Sequence, residues 1–510
     1  MKKLLIMAMI AILTLGFSVV VFAADDAKSD TAMVAKGDTK ITIGGELRFR
    51  GSYRSNVVDQ VDDGQVAYTQ LNVTGYGIAT PVAYDVTSIY GNRYTGVRTN
   101  GTQTLGSRVI SSGDDHQSFY DTRVRVSMDV KVADTTQGFI ELESNQGDTN
   151  TTDTERWGTS SAATGIAQVG NAKAGDLRLR QAWLKYYKNG VGVQIGHQLF
   201  KLGNGLFFDH TKFGDDGIRF IADPSKEWHI EVKTIKFKES TIGAPDDADA
   251  YVAEVRYRNP HWGISGDITY VDDQSFGGST DAKVHLWNFG VRADGTWSNG
   301  LTLRGDIEAQ AGNYRIASGS DAKMRGWALL AGVDYKITPP VKLTLEFAYG
   351  SGNGDEDTTN DIKYFVTSLG NDQHYTYVYE YHTPTACGGL TNSGICNTMY
   401  LKGGVAADMS KSLYGELYLY WLHASRNVAI YNGNPSGNLG WEVDAKLAYK
   451  IAKNLQYYVE GGYFFTGNSY DRVKTETFTY TNLSTANPVT TYEYTRNDAY
   501  AIRHGIQLNF

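Results

Sequence analysis

Arg123-Val124-Arg125-Val126-Ser127-Met128-Asp129-Val130-Lys131-Val132 alternates polar and apolar residues without a break. Successive side chains of an extended chain point to opposite faces. The stretch therefore reads as a strand with one apolar and one polar face. The same period returns elsewhere. Ile41, Ile43, Leu47, Phe49 and Tyr53 are set against Thr42, Glu46, Arg48, Arg50 and Arg54. Leu301, Leu303, Ile307 and Ala309 are set against Thr302, Arg304, Asp306 and Glu308, and Trp441, Val443, Ala445 and Leu447 against Glu442, Asp444 and Lys446. In a soluble sandwich the polar face is outside. In a membrane barrel the apolar face meets lipid and the polar face lines a lumen.

Composition separates these cases. The chain has 510 residues, 41% apolar and 20% charged, with 56 Gly, 34 Tyr, 9 Pro and 2 Cys. Helical membrane proteins need several apolar runs of about 20 residues, and a mean hydropathy of −0.36 is too polar for that. Aromatics at 12% are too many for a disordered chain. Two cysteines exclude a disulfide scaffold, a multihaem protein and a Cys-rich zinc module. A Gly- and Tyr-rich chain, polar on average yet long, suits a water-filled barrel, because half of each strand faces water.

The alternation predicts an all-β fold: a single transmembrane antiparallel barrel of about 18 strands, most long enough to cross a bilayer at a tilt. Short turns such as Ala133-Asp134-Thr135, Lys188-Asn189-Gly190 and Thr338-Pro339-Pro340 alternate with long loops. This is the arrangement of short periplasmic turns and long extracellular loops. Tyr and Trp gather at strand ends, where amphipathic rings suit the headgroup level. The last strand alternates through Ile502, His504, Ile506 and Leu508 to Phe510, a pattern similar to the signal read by the outer-membrane barrel assembly machinery.

Lys2 and Lys3 precede the apolar stretch Leu4 to Phe22, and Val21-Phe22-Ala23 fits a cleavage site. Residues 1–23 read as a secretory signal peptide, residues 24–39 as a flexible polar segment and residues 40–510 as the barrel. Loss of Lys2 and Lys3 takes the net charge from −8 to −10, which argues against nucleic acid as a partner. The expected surroundings are outer-membrane lipid, lipopolysaccharide and the assembly machinery, in a Gram-negative outer membrane. No oligomeric state follows.

One stretch carries a resemblance. Leu177 to Tyr186 (LRLRQAWLKY), Val193 to Phe200 (VQIGHQLF), Gly203-Asn204-Gly205-Leu206 and Phe213 to Phe220 (FGDDGIRF) resemble the core of the alginate-export family of outer-membrane barrels. The family usually has Arg where this chain has His197, so no site residue is carried over there. The resemblance implies an eighteen-stranded barrel. It also implies polysaccharide export through a positively charged pore, or, as in many relatives, a small-solute porin.

The polar faces give the pore-lining candidates. Arg503, Arg48, Arg50, Arg123 and Arg125 fall on three adjacent strands once the last strand pairs with the first, forming a basic ladder. Arg304 and the acidic Glu141, Glu143, Asp306 and Glu308 join the lumen set. Two readings of the ladder stand side by side: a path for anions, or arginines that brace the wall by pairing with Glu46, Asp121, Asp129, Glu141 and Glu143. A wide barrel needs a loop folded inward, and the long loops at about 55–117 and 352–397 are the candidates. The second holds Cys387 and Cys396, a candidate disulfide in an exported protein. No metal site is indicated: the acidic run Asp355-Glu356-Asp357 lacks calcium-loop spacing. No nucleophile elbow, P-loop, zinc motif or haem motif occurs, so neither enzyme activity nor a cofactor is expected. The sequence therefore reads as a porin for passive diffusion of small hydrophilic solutes, anions among them. The alternative is an alginate-like polysaccharide exporter, or the barrel of a larger envelope complex such as a porin–cytochrome conduit.

Overall fold

A computed structural model of the chain describes residues 32–57, 116–144, 177–239, 246–275, 282–315, 321–338, 340–353, 361–370, 374–381, 383–385, 387, 390, 394–428, 435–477, 489–494 and 496–510, with short strands at 70–73, 82–87, 93–98 and 101–104. The expected signal peptide lies outside the described residues. Eighteen antiparallel strands close into one barrel. They are β1 (Thr39–Ser55), β2 (His116–Val132), β3 (Thr136–Ser144), β4 (Leu177–Lys188), β5 (Val191–Gln198) and β6 (Asp215–Ala222). Then come β7 (Trp228–Lys238), β8 (Ala248–Arg258), β9 (Trp262–Asp273), β10 (Lys283–Thr296), β11 (Leu301–Arg315) and β12 (Trp327–Thr338). The circuit ends with β13 (Val341–Gly350), β14 (Thr398–Asp408), β15 (Leu413–Val428), β16 (Ser436–Ala452), β17 (Leu455–Thr466) and β18 (Ala499–Asn509). Each strand pairs with its sequence neighbour, and β18 pairs with β1 from Glu46↔Asn509 to Ser55↔Tyr500. Gly45 and Phe510 exchange backbone hydrogen bonds of 2.8 and 3.1 Å at the end of this seam. Beyond it, Ala32–Lys36 pairs with Thr39–Ile43 and continues the edge that β18 leaves. Part of the segment read as flexible from its polarity is thus strand, because β1 offers it unpaired backbone groups.

Turn chemistry matches the hairpins. Asn189 and Gly190 both have positive φ (51° and 80°), which is the two-residue turn whose twist suits paired strands. They join β4 to β5 in register from Lys188↔Val191.

The surface is inverted relative to a soluble protein. Phe220, Val291, Ile307 and Leu345 are each more than half exposed, whereas Asp306, Glu308 and Glu442 are fully buried. Apolar residues face outward and charges face the lumen, as a lipid-facing barrel requires. Two aromatic belts border the apolar band. Tyr257 lies 5.0 Å from Trp228 and 5.1 Å from Trp262 at the turn end. Tyr270–Trp287 (4.7 Å) and Trp327–Tyr349 (4.5 Å) lie at the loop end.

The apolar core sits inside the barrel, between its loop-end wall and two loops that fold inward. From the loop 199–214 come Phe200, Leu202, Phe207 and Phe208, and from the loop 351–397 come Ile362, Phe365, Val378 and Tyr379. They pack on Ile235, Leu286, Ala348, Tyr400, Leu422 and Phe464 of the wall. Burying each large side chain stabilises by about 1.5–3 kcal/mol. The two loops join through a parallel pairing of Phe208–Asp209 with Ser368–Leu369. The second loop is one of the two expected constrictions. For the first, 55–117, only short strands fall within the described residues. The loop 199–214 was not anticipated.

That loop is anchored on the wall by charge. Arg292 of β10 binds Asp267 of β9, and Asp306 and Glu308 of β11, with Nε 3.2 Å from Asp306. Asn204 donates its backbone and side-chain N–H groups to Asp306 at 3.1 and 3.0 Å. Gly203 (φ 49°) passes so close to the Arg292 guanidinium that a Cβ would lie 1.7 Å from Nε, so only glycine fits there.

Two outcomes test this packing. Ile307→Arg places a charge in the middle of the lipid-facing stripe and lowers stability by about 2–4 kcal/mol in guanidinium unfolding from lipid vesicles. A negligible change would mean that this face is not in lipid. Arg292→Met strands three buried carboxylates and destabilises by about 3–5 kcal/mol in the same assay.

Candidate functional site

The seam brings the ladder together. Arg48 and Arg123 stand directly opposite each other on β1 and β2, Arg50 opposite Asp121, and Glu46 opposite Arg125. Arg503 of β18 stands opposite Glu460 of β17 and opposite Ser52 of β1. Every candidate arginine of the seam has a carboxylate partner. Arg50 reaches Asp121 at 2.9 Å, with Arg48 3.6 Å from the same group. Arg123 pairs with Glu46 at 2.6 Å, and Arg125 with Glu143 at 2.7 Å and Glu46 at 3.8 Å. Arg503 pairs with Glu460, which also holds Lys446 at 2.9 Å. Some carboxylates are shared, Asp121 by Arg48 and Arg50 and Glu46 by Arg123 and Arg125, and Arg125 reaches partners on both adjacent strands.

A bulge adds a cation that alternation hides. On β4 the register shifts opposite Glu141 and Leu142. Leu177 and Leu179 face outward before the shift, and Leu184 and Tyr186 after it. The outward parity thus changes from odd to even, and both Arg180 and Gln181 turn inward. Arg180 binds Glu141 at 2.8 Å and Glu143 at 3.1 Å. It also donates to the carbonyls of Thr211 and Lys212 at 2.6 and 3.2 Å, which ties the ladder to the loop 199–214.

The walls differ in accessibility and balance. Along the seam, six arginines (48, 50, 123, 125, 180 and 503) interlock with five carboxylates (Glu46, Asp121, Glu141, Glu143 and Glu460), and the arginine side chains keep 10–25% exposure. Across the barrel one arginine, Arg292, serves Asp267, Asp306 and Glu308, whose side chains have none. The Arg304 candidate lies on this second side, with Asp334 and Glu346 both at 2.6 Å. Asp306 and Glu308, expected to line the lumen, do point inward but lie beneath the loop 199–214. Opposed walls of unequal balance set a transverse field across the lumen.

The loop 351–397 closes the seam side of the mouth. Cys387 and Cys396 form the expected disulfide, with Cα atoms 6.2 Å apart. Between the strand pairing at 368–369 and this clip, the segment 374–381 lies on β16 and β17. Glu442 accepts the Val378 and Tyr379 N–H groups at 2.7 and 2.8 Å, and Asp444 the Tyr377 N–H at 3.3 Å. Tyr377 donates its hydroxyl to Glu460 at 3.1 Å. The ring of Tyr381 lies 4.4 Å from the Arg54 guanidinium, and that of Tyr377 lies 5.3 Å from the Arg503 guanidinium. Burial pushes the hydroxyls of Tyr375 and Tyr379 well above the usual tyrosine range, so these rings bring no charge to the mouth.

A second junction of the two loops runs through His210. Its Nδ1 lies 2.6 Å from Asp215 and its Nε2 2.9 Å from the Ser368 hydroxyl. Phe208 and Phe237 pack on the ring at 4.4 and 5.0 Å. This Asp–His–Ser chain joins the loop 199–214 to the strand pairing at 368–369. No spacing in the sequence points to it, since Ser368 is 158 residues from His210. Among the described residues no cluster of His, Cys, Asp or Glu is arranged to hold a metal ion.

A family model described as alginate export matches residues 98–484. No curated protein matches the chain. Solved structures of similar shape include OccK9 (OpdG) of Pseudomonas aeruginosa, with 12% identity, a TM-score of 0.48, and 92% of this chain and 98% of that one covered. The anion-selective porin from Comamonas acidovorans has 11% identity and a TM-score of 0.41, covering 92% and 100%. The outer membrane channel DcaP of Acinetobacter baumannii has 11% identity and a TM-score of 0.38, covering 93% and 99%. With the family model spanning most of an eighteen-stranded, outward-apolar barrel, the chain belongs to the alginate-export family of Gram-negative outer-membrane β-barrels.

Proposed function

We propose that the protein is an outer-membrane porin in which small hydrophilic solutes, anions above all, diffuse passively along the seam wall formed by β17, β18 and β1 to β4. One observation carries this reading. The interlocked loops bury Arg292 and its three carboxylates, while the arginines of the seam keep part of their surface open to the lumen. A solute therefore meets a wall where cations outnumber carboxylates, and faces a wall where they do not. Charged rings and ladders of this kind set ion preference in pores. The pairing of each arginine does not remove this bias: the carboxylates fix the guanidinium groups in place, and the arginine side chains keep part of their surface exposed. No catalytic step is part of this function.

Family membership favours a second reading, export of an alginate-like polysaccharide. The interlocking of two loops within the lumen supports small solutes over a polymer. We assign residues 1–23 to a cleaved signal peptide, and the barrel's surroundings to lipid, lipopolysaccharide and the assembly machinery.

Purified protein in planar bilayers is expected to show stable conductance without a partner, with a reversal potential on the anion side. Replacing Arg48, Arg50 and Arg125 together with Gln shifts the reversal potential toward cations. An unchanged potential would make the ladder a brace only, and absence of conductance would contradict the porin reading.

A further inference from the structure

We propose that the segment 374–381 is a gate, latched against the wall by Glu442 and Asp444, which loosens and widens the path when these carboxylates take up protons. The inference rests on the porin reading. Both residues lie on one face of β16, two positions apart and buried. Among the described residues no Lys or Arg lies within ion-pair distance of either. Their hydrogen bonds instead go to the gate's backbone: Val378 and Tyr379 on the two oxygens of Glu442, and Tyr377 on Asp444. Asp444 Oδ1 is buried and has no hydrogen-bond partner. These neighbouring buried carboxyl groups thus accept three peptide N–H groups from one loop.

A carboxylate only accepts hydrogen bonds, whereas a carboxylic acid has an O–H that must donate. A first proton can be shared between the two carboxyls, whose Glu442 Oε1 and Asp444 Oδ1 both lie beside Gly462. A second one leaves no carboxylate to take the O–H and sets a donor opposite the N–H groups of the gate. Other ionisable groups surround the latch, and one of them, Lys402, acts electrostatically on Asp444. Glu380, within the gate, accepts the N–H groups of His374, Tyr375 and Thr376 at 2.7–2.9 Å and holds the gate's internal turn. Glu460 of β17 is paired with Arg503 of β18 and with Lys446. Lys402 of β14 turns its ammonium to the rings of Tyr418 and Tyr420 on β15, at 4.2 and 5.3 Å. Tyr470, beyond β17, packs on Phe464, which packs on Tyr379. His374, within the gate, places Nδ1 3.2 Å from Glu380; that pair acts on the gate's internal turn, while Glu442 and Asp444 act on its attachment to the wall.

The gate also packs into the apolar core, where Val378 and Tyr379 are fully buried and the Tyr379 hydroxyl lies 3.0 Å from that of Thr398. Glu380 gives it a self-contained fold. At its ends it is tied by the strand pairing at Ser368–Leu369 and by the Cys387–Cys396 disulfide. Release at the wall leaves both ties intact.

The experiment compares the full chain with Glu442→Gln/Asp444→Asn and with Val378→Pro, which deletes a donor on the gate and leaves the wall unchanged. Single-channel conductance is read in planar bilayers at about pH 7.5 and about pH 4, a range that spans ordinary carboxylate titration. Hydrogen exchange of the amides of 377–379 is read in parallel at neutral pH. The unaltered protein should conduct more at the acidic pH. Both variants should conduct at the higher level already at neutral pH, and rise less on acidification. Exchange protection at these amides should fall about tenfold or more in the variants. Conductance that is unaffected by pH and by both variants, or that falls on acidification in the unaltered protein, overturns the gate while leaving the porin. Unchanged exchange protection in both variants overturns it independently of conduction. No conductance from any of the three proteins overturns the porin reading, and the gate with it.

Discussion

The structure depends on one constraint: inside a bilayer no backbone N–H or C=O can be left for water to satisfy. A sheet meets it only by closing on itself. Here closure is the pairing of β1 with β18, ten residues long and finished by Gly45 and Phe510. Closure also decides where the charges go. Arg503 and Arg50 are far apart in the chain, yet the seam sets Arg503 opposite Ser52, two positions from Arg50. The basic ladder is thus a product of the ring, and no segment of the chain contains it alone. Ala32–Lys36 extends the same logic past the last residue of β18, pairing with the stretch of β1 that would otherwise be an open edge.

A lumen lined by charges has its own constraint. Each buried ion must be paired or hydrogen bonded, or its desolvation outweighs what it contributes. The molecule meets this in three ways. The seam arginines share carboxylates in a lattice. Arg292 is surrounded by three carboxylates and capped by Asn204. Glu442 and one oxygen of Asp444 accept peptide N–H groups of a loop. These solutions differ in how far they expose charge to a solute. The first leaves it partly open, the second seals it, and the third makes it part of a loop's attachment. The division of the lumen into an open wall and a covered one follows from which solution each wall uses.

The barrel itself was legible because lipid imposes period two on every strand, and that signal survives in stretches such as Arg123 to Val132. The seam ladder was legible for the same reason, once closure was assumed. Of the five carboxylates in the bracing reading, Glu46, Asp121 and Glu143 pair with ladder arginines, whereas Glu141 goes to Arg180 and Asp129 to Lys131 and Gln137. Arg180 was hidden because a bulge changes the parity of β4, and nothing in LRLRQAWLKY marks the change. The inward loops were hidden for a different reason. Loops have no period, and contacts such as Asn204 to Asp306, 102 residues apart, depend on the barrel being already closed. Cys387 and Cys396 were legible as a pair from their separation of nine residues. The role of Glu442 and Asp444 as backbone acceptors was not, because an inward carboxylate looks the same in sequence whether it meets water, a cation or a peptide.

The claim that solutes travel along the seam wall is tested most directly by chemical access to two lumen positions. Ser127 of β2 faces the lumen beside the ladder, opposite Glu141. Gln310 of β11 faces it beneath the loops, donating to the Val366 carbonyl at 2.8 Å. Each is replaced by cysteine, Ser127→Cys and Gln310→Cys, and modified with anionic and cationic thiol reagents applied to the folded barrel in lipid. The expected result is rapid reaction at position 127, faster for the anionic reagent, with position 310 protected. Equal or faster reaction at position 310, or a preference for the cationic reagent at position 127, would contradict the assignment of the path to the arginine seam.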